Sequence, residues 1–332
     1  MPALTRIRQP AVPARWWLIL SRLALAVAAV LGLLATGCRQ PPPAAPGPSP
    51  PAQVSARLLA YREFSQIDTG LAEPRGLALG PGGNVYVVGD KALRVFASNG
   101  SLLSQTRLSA EPTAVAVAAD GTAYLALLDH MEVYNPQHIL LASWPSAGDR
   151  AYFTSVAVAG NDVFVGDAGD RVVLHYDKAG QILGRIGRKD SARKIPGLIV
   201  PSPHLDVAVD AQGLLHVNNP GRLTVETYTV AGDLKSSWGR SSFALEDFCG
   251  CCNPTDIALM PDGKIVTSEK GIPRVKIYRP DGTLDSVVAE PRTFSPGVVG
   301  LDLAVDRNGH VLVLDPVARI VRIFERREKP LS

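Results

Sequence analysis

One stretch of the chain reads Leu205-Asp206-Val207-Ala208-Val209, then the turn Gln212-Gly213, then Leu215-His216-Val217. A short apolar run, a glycine-containing tight turn and a second apolar run are typical of two antiparallel strands joined as a hairpin. The same unit returns at Leu301-Asp302-Leu303-Ala304-Val305, with Asn308-Gly309 as its turn. A recurring hairpin indicates a repeat architecture, so the period of the repeat decides the fold.

Six copies of this unit occupy most of the chain after residue 57, and the other four begin near Pro74, Pro112, Ser155 and Asp256. Each copy has about 40 to 50 residues and four short strands, which is the period of a propeller blade. The sequence therefore predicts an all-β, six-bladed β-propeller with four-stranded blades.

The two ends of the repeat region complement each other. The sixth copy lacks a fourth strand before the charged tail, whereas the strand-like run from Leu59 to Ile67 precedes the first copy without a partner. We expect this N-terminal strand to complete the last blade and close the ring, because closure removes exposed sheet edges.

The order of elements in each copy resembles the NHL-repeat family. Each copy has a small-apolar strand, an Asp-Gly or Asn-Gly type turn, an apolar strand and a strand with Arg, Val and Tyr, and the resemblance covers nearly all of residues 57–326. It implies the propeller fold but no single chemistry, because the family includes lyases, sensors and protein- or RNA-binding modules. It also implies that the aspartates ending second strands brace turns; these are Asp90, Asp129, Asp167 and Asp315.

Residues 1–37 have the features of a lipoprotein signal peptide. Arginines up to Arg22 precede an uncharged run from Leu23 to Ala35 that is too short to span a bilayer comfortably. The stretch Leu34-Ala35-Thr36-Gly37-Cys38 resembles a bacterial lipobox, which implies that Cys38 is diacylated. Ordinary signal-peptidase cleavage after Gly37 is the alternative. Two acyl chains would give stable membrane anchoring.

Residues 38–56 are rich in Pro, Ala, Gly and Ser, and they predict a tether between the membrane and a domain at residues 57–332. Arg39 stands where an aspartate would retain many lipoproteins in an inner membrane. The sequence therefore predicts an extracytoplasmic protein of the cell envelope and favours the periplasmic face of an outer membrane.

Three of the four cysteines lie together at Cys249, Cys251 and Cys252, in a long connection between the fourth and fifth copies. Three interpretations fit this spacing: a site for a soft metal, a redox-active pair, or one disulfide that stiffens the loop beside a buried thiol. Any disulfide among these three cysteines leaves one of them unpaired. This favours a function for the cysteines beyond stabilising the loop. The three interpretations remain open at the level of sequence.

Strand parity places the long connections on one face of the predicted ring. Strands alternate in direction within a blade, so the links between blades share a face, called the top face here, with the loops between second and third strands. Function usually lies on such long loops. The predicted binding residues of this face are Arg75, His204, Asp206, Asn219, Asn253, Glu269, Lys270 and Asp302. The oxygen ligands among them would suit Ca²⁺ in the central channel.

Charge and motifs narrow the class of function. The net charge is +3, and no basic run is interleaved with aromatic residues, so nucleic acid is not a predicted partner. No Ser-His-Asp arrangement, phosphate loop or dinucleotide fingerprint stands out. The sequence therefore favours a monomeric binding scaffold for a protein, peptide or glycan over an enzyme. The alternative is a metal-binding, redox or Ca-dependent hydrolase or lyase that uses the top face.

Overall fold

The computed structural model describes residues 54–328. Within this range the backbone forms six four-stranded sheets, and every neighbouring pair of strands is antiparallel. The six-bladed propeller predicted from the repeat is therefore confirmed. The predicted signal peptide, Cys38 and most of the tether lie outside the described residues. Among those residues, no helix combines the length and the apolar character that crossing a membrane would require.

The first strand of the described residues, Tyr61–Asp68 (β1), belongs to the last blade. The blades then follow in chain order around the ring, and the strands of blades 1 to 5 run in chain order from the channel outward. Blades 1 to 3 consist of Pro74–Leu79 (β2), Val85–Gly89 (β3), Ala92–Phe96 (β4) and Leu102–Arg107 (β5); Ala114–Val117 (β6), Ala123–Leu127 (β7), His130–Tyr134 (β8) and Leu140–Ser143 (β9); and Phe153–Ala159 (β10), Asp162–Asp167 (β11), Val172–Asp177 (β12) and Ile182–Ile186 (β13).

The remaining blades repeat the pattern. Blades 4 to 6 consist of Val207–Val209 (β14), Leu215–Asn219 (β15), Thr224–Tyr228 (β16) and Leu234–Trp238 (β17); Asp256–Leu259 (β18), Ile265–Glu269 (β19), Arg274–Tyr278 (β20) and Leu284–Ala289 (β21); and Asp302–Val305 (β22), Val311–Asp315 (β23) and Ile320–Arg326 (β24), completed by β1. Within residues 54–328, two short 3-10 helices occur at Pro81–Gly83 and Pro291–Thr293.

The ring closes as the sequence predicts. Strand β1 pairs antiparallel with β24, with Tyr61 opposite Arg326 and Asp68 opposite Ile320. The innermost strand of blade 1, β2, contacts both β6 of blade 2 and β22 of blade 6. The first and last segments of the described chain therefore share one sheet, and no blade is left with an open neighbour.

Small side chains let the inner strands converge on the channel. Every inner strand has alanine at the same position, flanked by larger apolar residues; the alanines are Ala78, Ala116, Ala157, Ala208, Ala258 and Ala304. The third strands are instead largely buried on both sides and carry an aromatic ring near their outer-turn end, at Phe96, Tyr134, Tyr176, Tyr228, Tyr278 and Phe324. Larger side chains in the third strands than in the inner strands thus fill the greater space between blades away from the channel.

The hydrophobic core is divided among the blade interfaces, and one interface differs from the others. Five of the six clusters of buried apolar residues contain eleven or more members, whereas the cluster between blades 4 and 5 contains six. One of those six, Phe248, comes from the long connection before blade 5. Burial at this interface is therefore completed by a residue of this connection.

The aspartates that end second strands mostly brace turns, as the family pattern implies. Asp90 accepts the backbone N–H of Glu73 at 2.9 Å, and Asp167 accepts that of Tyr152 at 3.0 Å. Asp315 accepts the N–H of Ala318 at 3.0 Å. Asp129 differs, because its carboxylate bonds the ring of the neighbouring histidine instead.

Candidate ligand-binding site

A cavity of about 360 Å³ opens at the top face, where the inner strands begin. Its walls come from the starts of all six inner strands and from the turn after β23, so it lies at the mouth of the central channel. The polar residues that line this top-face cavity are Arg75, Thr113, Tyr152, Thr154, His204, Asp206, Thr255, Asp256 and Asp302. Four residues predicted from sequence meet there: Arg75, His204, Asp206 and Asp302.

The aspartates of the cavity occupy one position of the repeat. The residue that precedes each small-apolar inner run is, in blade order, Gly76, Ala114, Ser155, Asp206, Asp256 and Asp302. Three consecutive blades therefore present a carboxyl group at equivalent places around the channel. We call Asp206, Asp256 and Asp302 the aspartate arc.

Each aspartate of the arc ties its own blade to the next one. Asp206 accepts the N–H of Ile257 at 2.7 Å, and Asp256 accepts that of Leu303 at 3.1 Å. Asp302 accepts the N–H of Leu77 in blade 1 at 2.7 Å. A buried backbone N–H needs such a partner, so these carboxylates have a structural task as well as a position in the cavity.

The three carboxyl groups also perturb one another. Burial raises the pKa of Asp206 to about 7, with a smaller contribution from the charge of Asp302. Burial raises the pKa of Asp302 to about 6, although hydrogen bonds from backbone N–H groups oppose this. Burial and the charges of Asp206 and Asp302 raise the pKa of Asp256 well above its ordinary value. Ionisation of one carboxyl group of the arc therefore makes ionisation of its neighbours less favourable.

His204, Arg75 and Tyr152 also line the cavity. Burial, helped by the positive charge of Lys270, lowers the pKa of His204 to about 4, so its imidazole is neutral at physiological pH. Arg75 pairs at the surface with Glu73 at 2.9 Å. Tyr152 is 37% exposed at the mouth and Val299 is 65% exposed. The mouth is therefore partly apolar, while the aspartate arc is polar and acidic.

Residues 239–254, called the cysteine loop here, precede blade 5 and cover its face toward blade 4. Cys249 and Cys252 are buried, Cys251 is exposed, and all three are free thiols. The Sγ atoms of Cys251 and Cys252 lie 3.2 Å apart. Cys249 lies apart from this pair, against the guanidinium of Arg274 at 3.9 Å. The loop therefore contains one adjacent thiol pair and one separate buried thiol.

Charged groups on blade 5 hold the cysteine loop in place. Lys276 is fully buried, and its Nζ donates to the carbonyls of Leu245 at 2.9 Å and Asp247 at 2.8 Å. The same ammonium lies 2.6 Å from Oε1 of Glu269, in an ion contact rather than an aligned hydrogen bond. Arg274 donates to the other oxygen of Glu269 at 2.8 Å. Glu269, Arg274 and Lys276 thus form a buried ion triad under the loop.

Sequence reasoning did not anticipate this triad. The signal is nevertheless present in β20, where Arg274, Lys276 and Tyr278 alternate with Val275 and Ile277. A third strand is buried on both faces, so a charged residue at every second position requires partners on one side. The position equivalent to Lys276 holds Glu132 in blade 2 and Glu226 in blade 4. Each of these glutamates is buried and accepts a hydrogen bond from a tyrosine hydroxyl.

Three residues predicted for the top rim are buried and bonded within the protein. Asn219 accepts the N–H of Ile199 at 2.9 Å, and Asn253 accepts that of Lys270 at 2.9 Å. Glu269 belongs to the buried ion triad. Lys270 is half-buried, and its Nζ donates to Oγ of Ser202 at 2.9 Å, next to the cavity. Asn219, Asn253 and Glu269 therefore contribute to loop architecture rather than to the cavity surface.

The metal sites considered from sequence have no matching geometry in the described part of the chain. Among residues 54–328, no group of three or more His, Cys, Asp or Glu side chains is arranged so that it could hold a metal ion. This applies both to a soft metal at Cys249, Cys251 and Cys252 and to Ca²⁺ in the central channel.

Comparison with solved structures shows the propeller fold. The chain resembles a streptogramin B lyase with a TM-score of 0.57 and 8% identity, covering 82% of this chain and 100% of that one. It resembles virginiamycin B lyase from Staphylococcus aureus with a TM-score of 0.53 and 11% identity, covering 82% and 90%.

A third similar structure, a protein of unknown function from Bacteroides thetaiotaomicron, has a TM-score of 0.58 and 12% identity, covering 77% of this chain and 70% of that one. At these identities the likeness concerns the fold alone. No protein-family model matches the chain, and no curated protein matches it.

Proposed function

We propose that this chain is a binding propeller whose top-face cavity takes a cationic side chain, Lys or Arg, of a peptide or protein ligand. The observation that carries the proposal is the aspartate arc within a cavity of about 360 Å³. Three carboxyl groups with raised pKa values repel one another when ionised, and an ammonium or guanidinium group would relieve that repulsion.

The size and lining of the cavity support a side chain rather than a larger group. Its volume lies near the lower end of the range for ligand pockets, about 300–1,000 Å³. The exposed rings and methyl groups of Tyr152 and Val299 at the mouth can pack against the aliphatic stem of Lys or Arg. The carboxyl groups of the arc would then accept hydrogen bonds from the charged tip.

The proposal for location rests on the N-terminal sequence. It places a lipid on Cys38, a tether at residues 38–56 and the propeller outside the cytoplasm, with the periplasmic face of an outer membrane favoured. The repeat pattern supports assignment to the NHL-repeat type of propeller. In this proposal the protein acts as a monomer on the membrane surface, with a protein or peptide rather than a nucleic acid as its partner.

Calorimetric titration of the full-length protein in detergent tests the proposed ligand. The probes are three short blocked peptides that differ only in a central lysine, arginine or norleucine. We expect the two basic peptides to bind and the norleucine peptide not to bind. A charge-assisted hydrogen bond contributes about 1.5–3 kcal/mol, so Asp256→Asn should weaken binding by about ten-fold or more.

Asp149→Asn is the matched control. Asp149 is exposed in a loop of the same face, and its substitution by asparagine removes the same formal charge. It should leave the affinity unchanged. Equal binding of the norleucine peptide would contradict the proposal. Equal weakening by the two asparagine variants would also contradict it, because the effect would then come from overall charge.

A further inference from the structure

Cys251 and Cys252 have a setting that the cavity does not explain. Their Sγ atoms lie 3.2 Å apart, with Cys251 exposed to solvent and Cys252 only 3% exposed. Ser202 and Lys270 approach the inner thiol, and the two are joined by a hydrogen bond of 2.9 Å. One sulfur is therefore accessible, and the other is held beside a cation and a hydroxyl.

The surroundings divide the roles of the two sulfurs. Burial by itself raises the pKa of Cys252, but hydrogen bonds with Ser202 and Cys251 and the charge of Lys270 outweigh it, so this pKa lies below its ordinary value. The hydrogen bond and charge of Cys252 raise the pKa of Cys251. Cys249 does not take part, because it is buried against the guanidinium of Arg274.

We infer that Cys251 and Cys252 form a redox-active pair that cycles between two thiols and a disulfide by exchange with an external dithiol. The inference concerns the cysteine loop and does not depend on a ligand in the top-face cavity. It assigns a thiol–disulfide exchange activity to the one stretch of the chain where cysteines cluster.

The exchange has two steps and begins from the disulfide between Cys251 and Cys252. A thiolate of the external dithiol attacks Sγ of Cys251, a mixed disulfide forms, the bond between the two cysteines breaks, and Cys252 leaves as a thiolate. The second thiolate of the external molecule then attacks that molecule's other sulfur, which is bonded to Cys251 in the mixed disulfide. This closes the external disulfide and releases Cys251 as a thiolate. The external dithiol is oxidised to a disulfide, and the pair gains two electrons and the two protons of the donor thiols.

The geometry favours this direction of attack. Exchange is fast when the attacked sulfur is accessible and when the leaving thiol has a low pKa. Cys251 is the accessible sulfur, and Cys252 is the thiol whose anion Lys270 and Ser202 stabilise. Stabilisation of the reduced form also makes a pair more oxidising, because the dithiol is then the favoured state.

The test equilibrates the full-length protein with mixtures of reduced and oxidised dithiothreitol, followed by acid quenching, alkylation and peptide mapping. We expect a reversible disulfide that joins Cys251 to Cys252, with Cys249 alkylated under all conditions. Mapping separates these thiols from Cys38. Thiols that persist at every ratio, or a disulfide that includes Cys249, would overturn the inference.

Variants separate a redox pair from a loop that merely contains thiols. Cys251→Ser and Cys252→Ser should each abolish the disulfide, while Cys249→Ser should retain it. Lys270→Met should make reduction of the disulfide several-fold slower and shift the equilibrium toward the disulfide, whereas Lys270→Arg should restore both. If Lys270→Met changes neither the rate nor the equilibrium, the assigned role of the cation is wrong.

Discussion

The buried ion triad between blades 4 and 5 offers a sharp test of how the cysteine loop is held. Lys276 is fully buried, and its ammonium contacts the carbonyls of Leu245 and Asp247 and the carboxylate of Glu269. A methionine at this position has a similar length but cannot donate a hydrogen bond. Lys276→Met therefore leaves two buried carbonyl oxygens and one side of a buried carboxylate without their partner.

The magnitude follows from the burial of the whole triad. Removing one partner of a buried ion pair costs about 3–5 kcal/mol, because the remaining charge stays desolvated. For a domain of this size, each kcal/mol corresponds to roughly 2–4 °C in Tm, so the expected decrease is about 6–20 °C. The small apolar cluster at this interface cannot offset the loss, because it contains six residues where the others contain eleven or more.

Urea unfolding of the full-length protein in detergent, followed by tryptophan fluorescence, measures the effect. Trp238 reports on the interface, because its ring lies 4.8 Å from that of Tyr278. Lys264→Met is the matched control in the same blade, since Lys264 is partly exposed and its shorter ion pair is with the exposed Asp262 at 2.9 Å. Such pairs contribute about 0–1 kcal/mol. Equal losses in the two variants would refute the role of the triad.

Three further predictions address the arc, the blade packing and the anchor. Folding raises the pKa of Asp256, so the native state binds more protons than the unfolded state above pH 3.8 and stability falls as pH rises. Asp256→Asn should therefore increase the free energy of unfolding at pH 8 and change it little below pH 4, as urea titrations at both pH values would show. Constant stability differences at the two pH values would contradict this. Gly180→Ala places a Cβ 2.5 Å from the Trp144 ring at a φ of +84°, so it should cost about 2 kcal/mol or more in urea unfolding. Gly213→Ala, with a φ of +79° and open space, should cost only about 1 kcal/mol, and equal costs would exclude the steric explanation. Cys38→Ser should move the protein out of the membrane fraction and abolish globomycin-sensitive processing, whereas unchanged processing would contradict the lipid anchor.

The fold could be predicted from sequence because the same local signals recur six times. Each copy has the alternation of apolar runs and glycine turns, and the missing strand of the last copy is matched by the surplus strand at residues 61–68. Repetition makes each assignment support the others, so errors in one copy do not change the architecture. Strand parity then predicted the face on which His204, Asp206 and Asp302 meet.

It was harder to predict which side chains line the cavity. At the end of a strand, a shift of one residue reverses the side of the sheet to which a side chain points. Glu269 and Lys270 are neighbours in sequence, yet Glu269 enters the buried ion triad and Lys270 reaches Ser202 beside the cavity. Adjacent residues of a strand point to opposite sides. Parity gives the face of the ring but not which of two adjacent residues is buried between blades.

The measurement that tests the central claim most directly is the affinity of the lysine peptide for the full-length protein at about pH 5 and pH 8. The pKa values of about 7 for Asp206 and about 6 for Asp302 mean that the arc gains negative charge across this interval. We predict that binding tightens as pH rises and that Asp206→Asn reduces this dependence. Equal affinity at the two pH values, or tighter binding at pH 5, would contradict a cation site at the aspartate arc.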